Sequence, residues 1–140
     1  MILEYKSPAA LIFRLAGTAC AEKFGKEITG LNLFDAFGNG MRNCAGPHFE
    51  SVRSLPCGLL ILEKMQSRYQ STVISEMIFL PLRTGDGEIT QLIGSITAAA
   101  SADAGNIAQD LQAKTKPASQ FLDLGAGVPQ TGAQEIRLAG

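Results

Sequence analysis

The stretch Phe13-Arg-Leu-Ala-Gly-Thr-Ala-Cys-Ala-Glu-Lys-Phe-Gly-Lys-Glu-Ile-Thr-Gly30 constrains the fold more than any other part of the chain. A strand ends at Gly17-Thr18, a helical turn over Ala19 to Phe24 stops at Gly25, and a second turn stops at Gly30. Glycine just past a helical turn takes the left-handed conformation that closes it without a Cβ clash. Such tight strand-to-helix wiring suits a small sensing fold better than a catalytic one.

Around this stretch the hydrophobic pattern predicts an ordered series of elements. Met1 to Tyr5 reads as a first strand, Lys6-Ser-Pro-Ala as a turn, and Leu11 to Ala16 as the returning strand of a hairpin. Asn32 can cap a turn through Leu33, Phe34 and Phe37, and Gly38-Asn-Gly40 breaks it. Pro47 to Leu55 is the best helix, with Pro47 at its first position and Pro56 and Gly58 ending it. Three strands follow. Leu59 to Gln66 opens on Leu59-Leu-Ile-Leu, too apolar for a strand with one wet face. Tyr69 to Arg83 is rich in β-branched and aromatic residues. Glu88 to Ala100 returns after the hairpin signal Thr84-Gly-Asp-Gly87. Gly94, mid-strand, marks a bulge or a close backbone approach.

The character changes after Ala100, so residues 1–100 form the expected folded unit and 101–140 a C-terminal extension. Ile107 and Leu111 can seed a helix over Asn106 to Lys114. Phe121-Leu-Asp-Leu is a short apolar patch, and Gly125 to Gly140 reads as loosely ordered. Strand, strand, helices, then a three-strand antiparallel meander is an α+β pattern.

Composition removes several function classes. The 140 residues carry a net charge of -1, which gives little pull toward nucleic acid or an anionic membrane. No apolar run reaches the length of a membrane-spanning helix, and Met1-Ile-Leu-Glu-Tyr-Lys lacks the pattern of a signal peptide, so the cytoplasm is the expected address. The three cysteines, Cys20, Cys44 and Cys57, fit reduced thiols better than a disulfide framework. The single His and the lack of a Cys-x-x-Cys pair argue against zinc. No Ser, Cys, Glu or His stands in a nucleophile–base pattern, and Gly38-Asn-Gly40 lacks the following Lys of a phosphate loop, so no enzyme is expected.

Three segments together resemble the PAS domain, more narrowly the PAS-like family common in alphaproteobacteria and numbered as the fifth PAS subgroup. They are Phe13-Arg-Leu-Ala-Gly-Thr18, Phe24-Gly-Lys-Glu-Ile-Thr-Gly30, and Glu76-Met-Ile-Phe-Leu-Pro-Leu82 with Leu92-Ile-Gly94. The resemblance implies a five-stranded antiparallel sheet in the order 2-1-5-4-3, with short helices on one face. It also implies sensing or regulation without catalysis, usually through dimers. Members typically carry a helix before the first strand, whereas Met1 stands almost at that strand here. They also commonly carry a Trp near the position of Phe37, and this chain has none.

Candidate sites follow from the residues and the resemblance together. Ligands of PAS folds bind between helices and sheet, so the resemblance makes Phe24, Leu33, Phe37, Phe49, Val52 and Leu55 candidate lining for a small apolar molecule; the alternative is a filled core. Glu76, the sole charge between Val73 and Leu82, either edges that space or pairs with Arg53, Arg14 or Lys64. The opposite sheet face, with Ile12, Leu60, Leu62 and Ile93, is a candidate interface for a second copy, a protein partner or the chain's own Phe121 segment. His48 is the weak candidate for a haem ligand, and Cys44 lacks the Arg-Phe-Leu-Gln run of flavin photosensors, so neither cofactor is expected.

Overall fold

A computed structural model describes residues 1–37, 39–66, 72–98 and 118–130. Strands β1 (Ile2–Ser7) and β2 (Ala10–Leu15) form the first hairpin. Helices α1 (Thr18–Phe24), α2 (Leu33–Phe37) and α3 (Asn39–Ser54) follow, then strands β3 (Gly58–Gln66), β4 (Thr72–Arg83), β5 (Ile89–Ala98) and β6 (Ala118–Leu122). All strand pairs are antiparallel, in the order β2-β1-β5-β4-β3-β6.

Among the described residues the sheet therefore has six strands where five were expected. The expected order 2-1-5-4-3 holds, and the Phe121 segment adds a sixth strand along β3. This accounts for the apolar opening of β3. Paired on both edges, it keeps all of Leu59, Leu60, Ile61 and Leu62 at 8% exposure or less. The expected helix over 106–114 lies outside the described residues.

Two glycine-closed turns form as the spacing dictates. Gly25 ends α1 at φ 67°, its N–H bonded to carbonyls of the last turn, and Gly30 takes φ 86° while donating to Phe13 O at 2.7 Å. Asn32 then does two tasks. Its Oδ1 accepts from Phe34 N at 3.3 Å, capping α2, and from Leu11 N at 3.2 Å, while its Nδ2 donates to Ala9 O at 2.9 Å. The helical segment is thus tied to β2 by one side chain.

Helix α3 corrects the expected start at Pro47. It begins at Asn39 and runs through Pro47 in its interior. Met41, Ala45, Phe49 and Val52 repeat at helical spacing and are all buried at 1% exposure or less. That continuous apolar stripe offsets the loss of one backbone N–H and the ring clash at Pro47.

The core lies between the helices and the inner sheet face. Phe13, Phe34, Phe49 and Phe79 are buried at 1% exposure or less. Edge-to-face contacts run Phe34–Phe49–Phe79 with centroids 6.1 and 5.1 Å apart, and Phe13–Phe24–Phe37 with centroids 6.2 and 5.1 Å apart. Gly94 faces Phe79 across the β4–β5 ladder, and a Cβ there would stand 2.8 Å from the ring. The mid-strand glycine marks a close approach.

Candidate functional site: the inner sheet face and the helices over it

Of the expected lining residues, Phe24, Leu33, Phe37, Phe49 and Val52 come together in the main apolar cluster. Leu55 is half-buried just past the end of α3 and outside that cluster. Glu76 does not join them. It is exposed and pairs with Leu62 and Thr97 on the far face of the sheet, because β4 turns Ser75, Met77 and Phe79 inward. The shallow groove bounded by Tyr5, Phe49, Arg53 and Leu92 admits no water molecule.

The interface candidates divide in the same way. Ile12, Leu60, Leu62 and Ile93 lie on the outer face, but only Ile93, at 44%, is strongly exposed. Leu62 is covered in a small cluster with Ala118 and Ile74. Phe121 belongs to the inner face: it packs edge-on against His48, centroids 5.3 Å apart, and joins the main core. The C-terminal segment thus docks by extending the sheet edge rather than by covering the outer face.

His48 sits on α3 with Nδ1 3.0 Å from Ser119 Oγ of β6. Its ring bridges the long helix and the added strand. Among the described residues, no group of three or more His, Cys, Asp or Glu is arranged for a metal.

Two polar features escaped the sequence analysis. The first ties α3 to β1. The Tyr5 hydroxyl donates to Glu50 Oε2, Arg53 reaches Glu50 Oε1 at 3.3 Å, and the guanidinium lies 4.8 Å from the Tyr5 ring centroid. Burial, then the adjacent Glu50 carboxylate, pushes the Tyr5 phenol up to about 12, while the phenol's hydrogen bond holds Glu50 below its ordinary value. The second is Glu63, which follows Leu59 and Ile61 onto the inner face of β3 and stands opposite Ser75. Its Oε2 is shut off from solvent without a hydrogen-bond partner, and desolvation pushes its carboxyl up to about 7. The signal was present in the strand alternation, which puts Glu63 in phase with the inward Leu59 and Ile61.

An antiparallel sheet with short helices over one face is an α+β architecture. The PAS domain family profile matches residues 1–97, and the chain belongs to that family. No curated protein matches the sequence closely enough to count as a relative. Solved structures share the fold at low identity. A light-oxygen-voltage domain studied with a flavin analogue is 13% identical with a TM-score of 0.55, over 81% of this chain and 86% of that one. VqmA bound to DPO is 16% identical with a TM-score of 0.54, over 74% of this chain and 54% of that one. The Vibrio cholerae VqmA dimer without its target DNA is 14% identical with a TM-score of 0.52, over 71% of this chain and 45% of that one. The chain thus spans about half the length of the VqmA chains it matches. Among the described residues, no helix is long and apolar enough to cross a membrane.

Proposed function

We propose that this PAS domain is a non-catalytic regulatory module that acts through protein–protein contacts, first with a second copy of itself. The observation that carries the reading is a row of apolar positions crossing all six strands on the outer face. It runs Leu122, Gly58, Leu80, Ile93, Ile2, Leu15, through the ladder pairs and the packing of Leu80 and Leu122 around Gly58. Leu15 at 57% and Ile93 at 44% leave its β5–β2 end in solvent. A contiguous apolar row on a sheet face is the kind of surface that associates.

In this reading, a ligand or partner that prefers one packing of α2 and α3 shifts their position on the sheet, and the strands pass that shift to the outer face. Fold analogy supports the step: the structural neighbours include VqmA bound to DPO and a VqmA dimer. The reading requires neither haem nor flavin, no nucleic acid and no membrane, and it places the domain in the cytoplasm. Sedimentation of wild type and Ile93→Glu tests it. Wild type sediments as a dimer at micromolar concentration and Ile93→Glu as a folded monomer; equal sedimentation of the two overturns the outer-face contact.

A further inference from the structure

On the inner face of the β3–β4 ladder, Glu63 stands opposite Ser75, beside the apolar pair Ile61 and Met77. Directly opposed residues hold their Cβ atoms about 5 Å apart. Ser75 is fully buried, and neither its Oγ nor Glu63 Oε2 has a hydrogen-bond partner. Buried polar atoms are nearly always paired in native proteins, and each unpaired one is costly. Packing alone would favour an apolar pair here, as in the neighbouring Ile61–Met77 pair. The neighbouring polar group is already satisfied: Ser119, opposite Ile61 on β6, holds His48 at 3.0 Å.

The chemistry of the two orphaned atoms selects a ligand. An ionised carboxylate only accepts hydrogen bonds, and a serine hydroxyl can accept a second. An anionic group would be repelled, while a donor, above all a cationic one, satisfies the carboxylate oxygen that is shut off from solvent. The surrounding side chains, Ile61 and Met77 with the half-buried Ile96, suit an apolar body. We propose that Glu63 and Ser75 are the polar anchor of a ligand site between sheet and helices, taking a small organic molecule that carries a nitrogen donor on an apolar frame. This rests on the sensory reading above and deepens it by naming the ligand class.

Benzylamine and ethylbenzene, which differ by an ammonium against a methyl group, test the anchor by amide NMR titration of the full chain. Benzylamine is expected to shift the Glu63 and Ser75 amides and to bind at least tenfold more tightly than ethylbenzene. Glu63→Leu is expected to lose that preference while unfolding at a higher urea concentration than wild type, since it removes a half-buried carboxylate with one unpaired oxygen. Ser75→Ala, which stays folded, weakens benzylamine several-fold. Equal binding of both probes, unchanged in Glu63→Leu, overturns the anchor but leaves an apolar ligand space standing. No shift at either amide, or a crystal in which one ordered water bridges the two oxygens and benzylamine does not displace it, overturns the anchor outright. Loss of dimerisation in Ile93→Glu speaks to the outer face alone, so the two readings fail separately.

Discussion

Replacing Glu63 with Gln should remove a pH dependence of stability that this one residue creates. Desolvation raises the Glu63 carboxyl from its ordinary 4.5 to about 7 in the folded chain. Between those values the native state holds a proton that the unfolded chain has released. Stability is therefore fully favourable below the unfolded value, falls as pH rises from about 4.5 to about 7, and is flat above. At ~1.4 kcal/mol per unit the shift corresponds to ~3 kcal/mol, which partial solvent access reduces to ~2 kcal/mol. Urea unfolding followed by circular dichroism at pH 5 and pH 8 reads this as a midpoint about 1 M lower for wild type at the higher pH, with an m-value of about 2 kcal/mol/M. Glu63→Gln cannot titrate, and its midpoints should differ from each other by at least that much less. The comparison cancels the other groups, and the lowered carboxyls of Glu4, Glu27, Glu50 and Asp86 act below their ordinary values, in a separate acid window. Parallel pH profiles for the two proteins would refute the assignment of Glu63 to a desolvated inner-face site.

Three further outcomes are expected. Gly94→Ala should cost ~1–3 kcal/mol in chemical unfolding, because the new Cβ meets the Phe79 ring at 2.8 Å and that ring is itself held edge-on by Phe49; Phe79→Leu in the same chain should recover part of the loss. Tyr5→Phe removes the hydroxyl that Glu50 accepts from and should lower stability by ~1 kcal/mol in thermal unfolding, with no loss if the contact is idle. His48→Ala and Ser119→Ala should each speed amide hydrogen exchange of β6 by roughly tenfold while leaving β4 and β5 unchanged. Unchanged β6 exchange would mean that the ladder to β3 holds the strand without the side-chain bond.

Local chemistry made much of this fold legible. Gly25 and Gly30 mark turns that only a left-handed residue closes cheaply, and both adopt positive φ. Thr84-Gly-Asp-Gly87 closes the β4–β5 hairpin, with Gly87 N bonded to Thr84 O at 2.9 Å. Pro47 misled because a proline's local preference for a helix start was outweighed by the burial of Met41 and Ala45 on the preceding turns. Alternation left open whether Glu76 edges the ligand space or lies at the sheet surface, since a period of two separates two faces without saying which one the helices cover.

The sequence by itself determined the hairpins and the glycine-closed turns, because turn chemistry and hydrophobic period act within a few residues of each other; the order of the first five strands came from the family resemblance. Tertiary structure alone decided that Ala118–Leu122 completes the sheet beside β3, that His48 meets Ser119, and that Glu63 faces Ser75 with both oxygens unpaired. Those outcomes depend on which strand edge is free and which face lies beneath the helices. Such choices are made by pairing and burial between residues distant in the chain, where local propensity has no say.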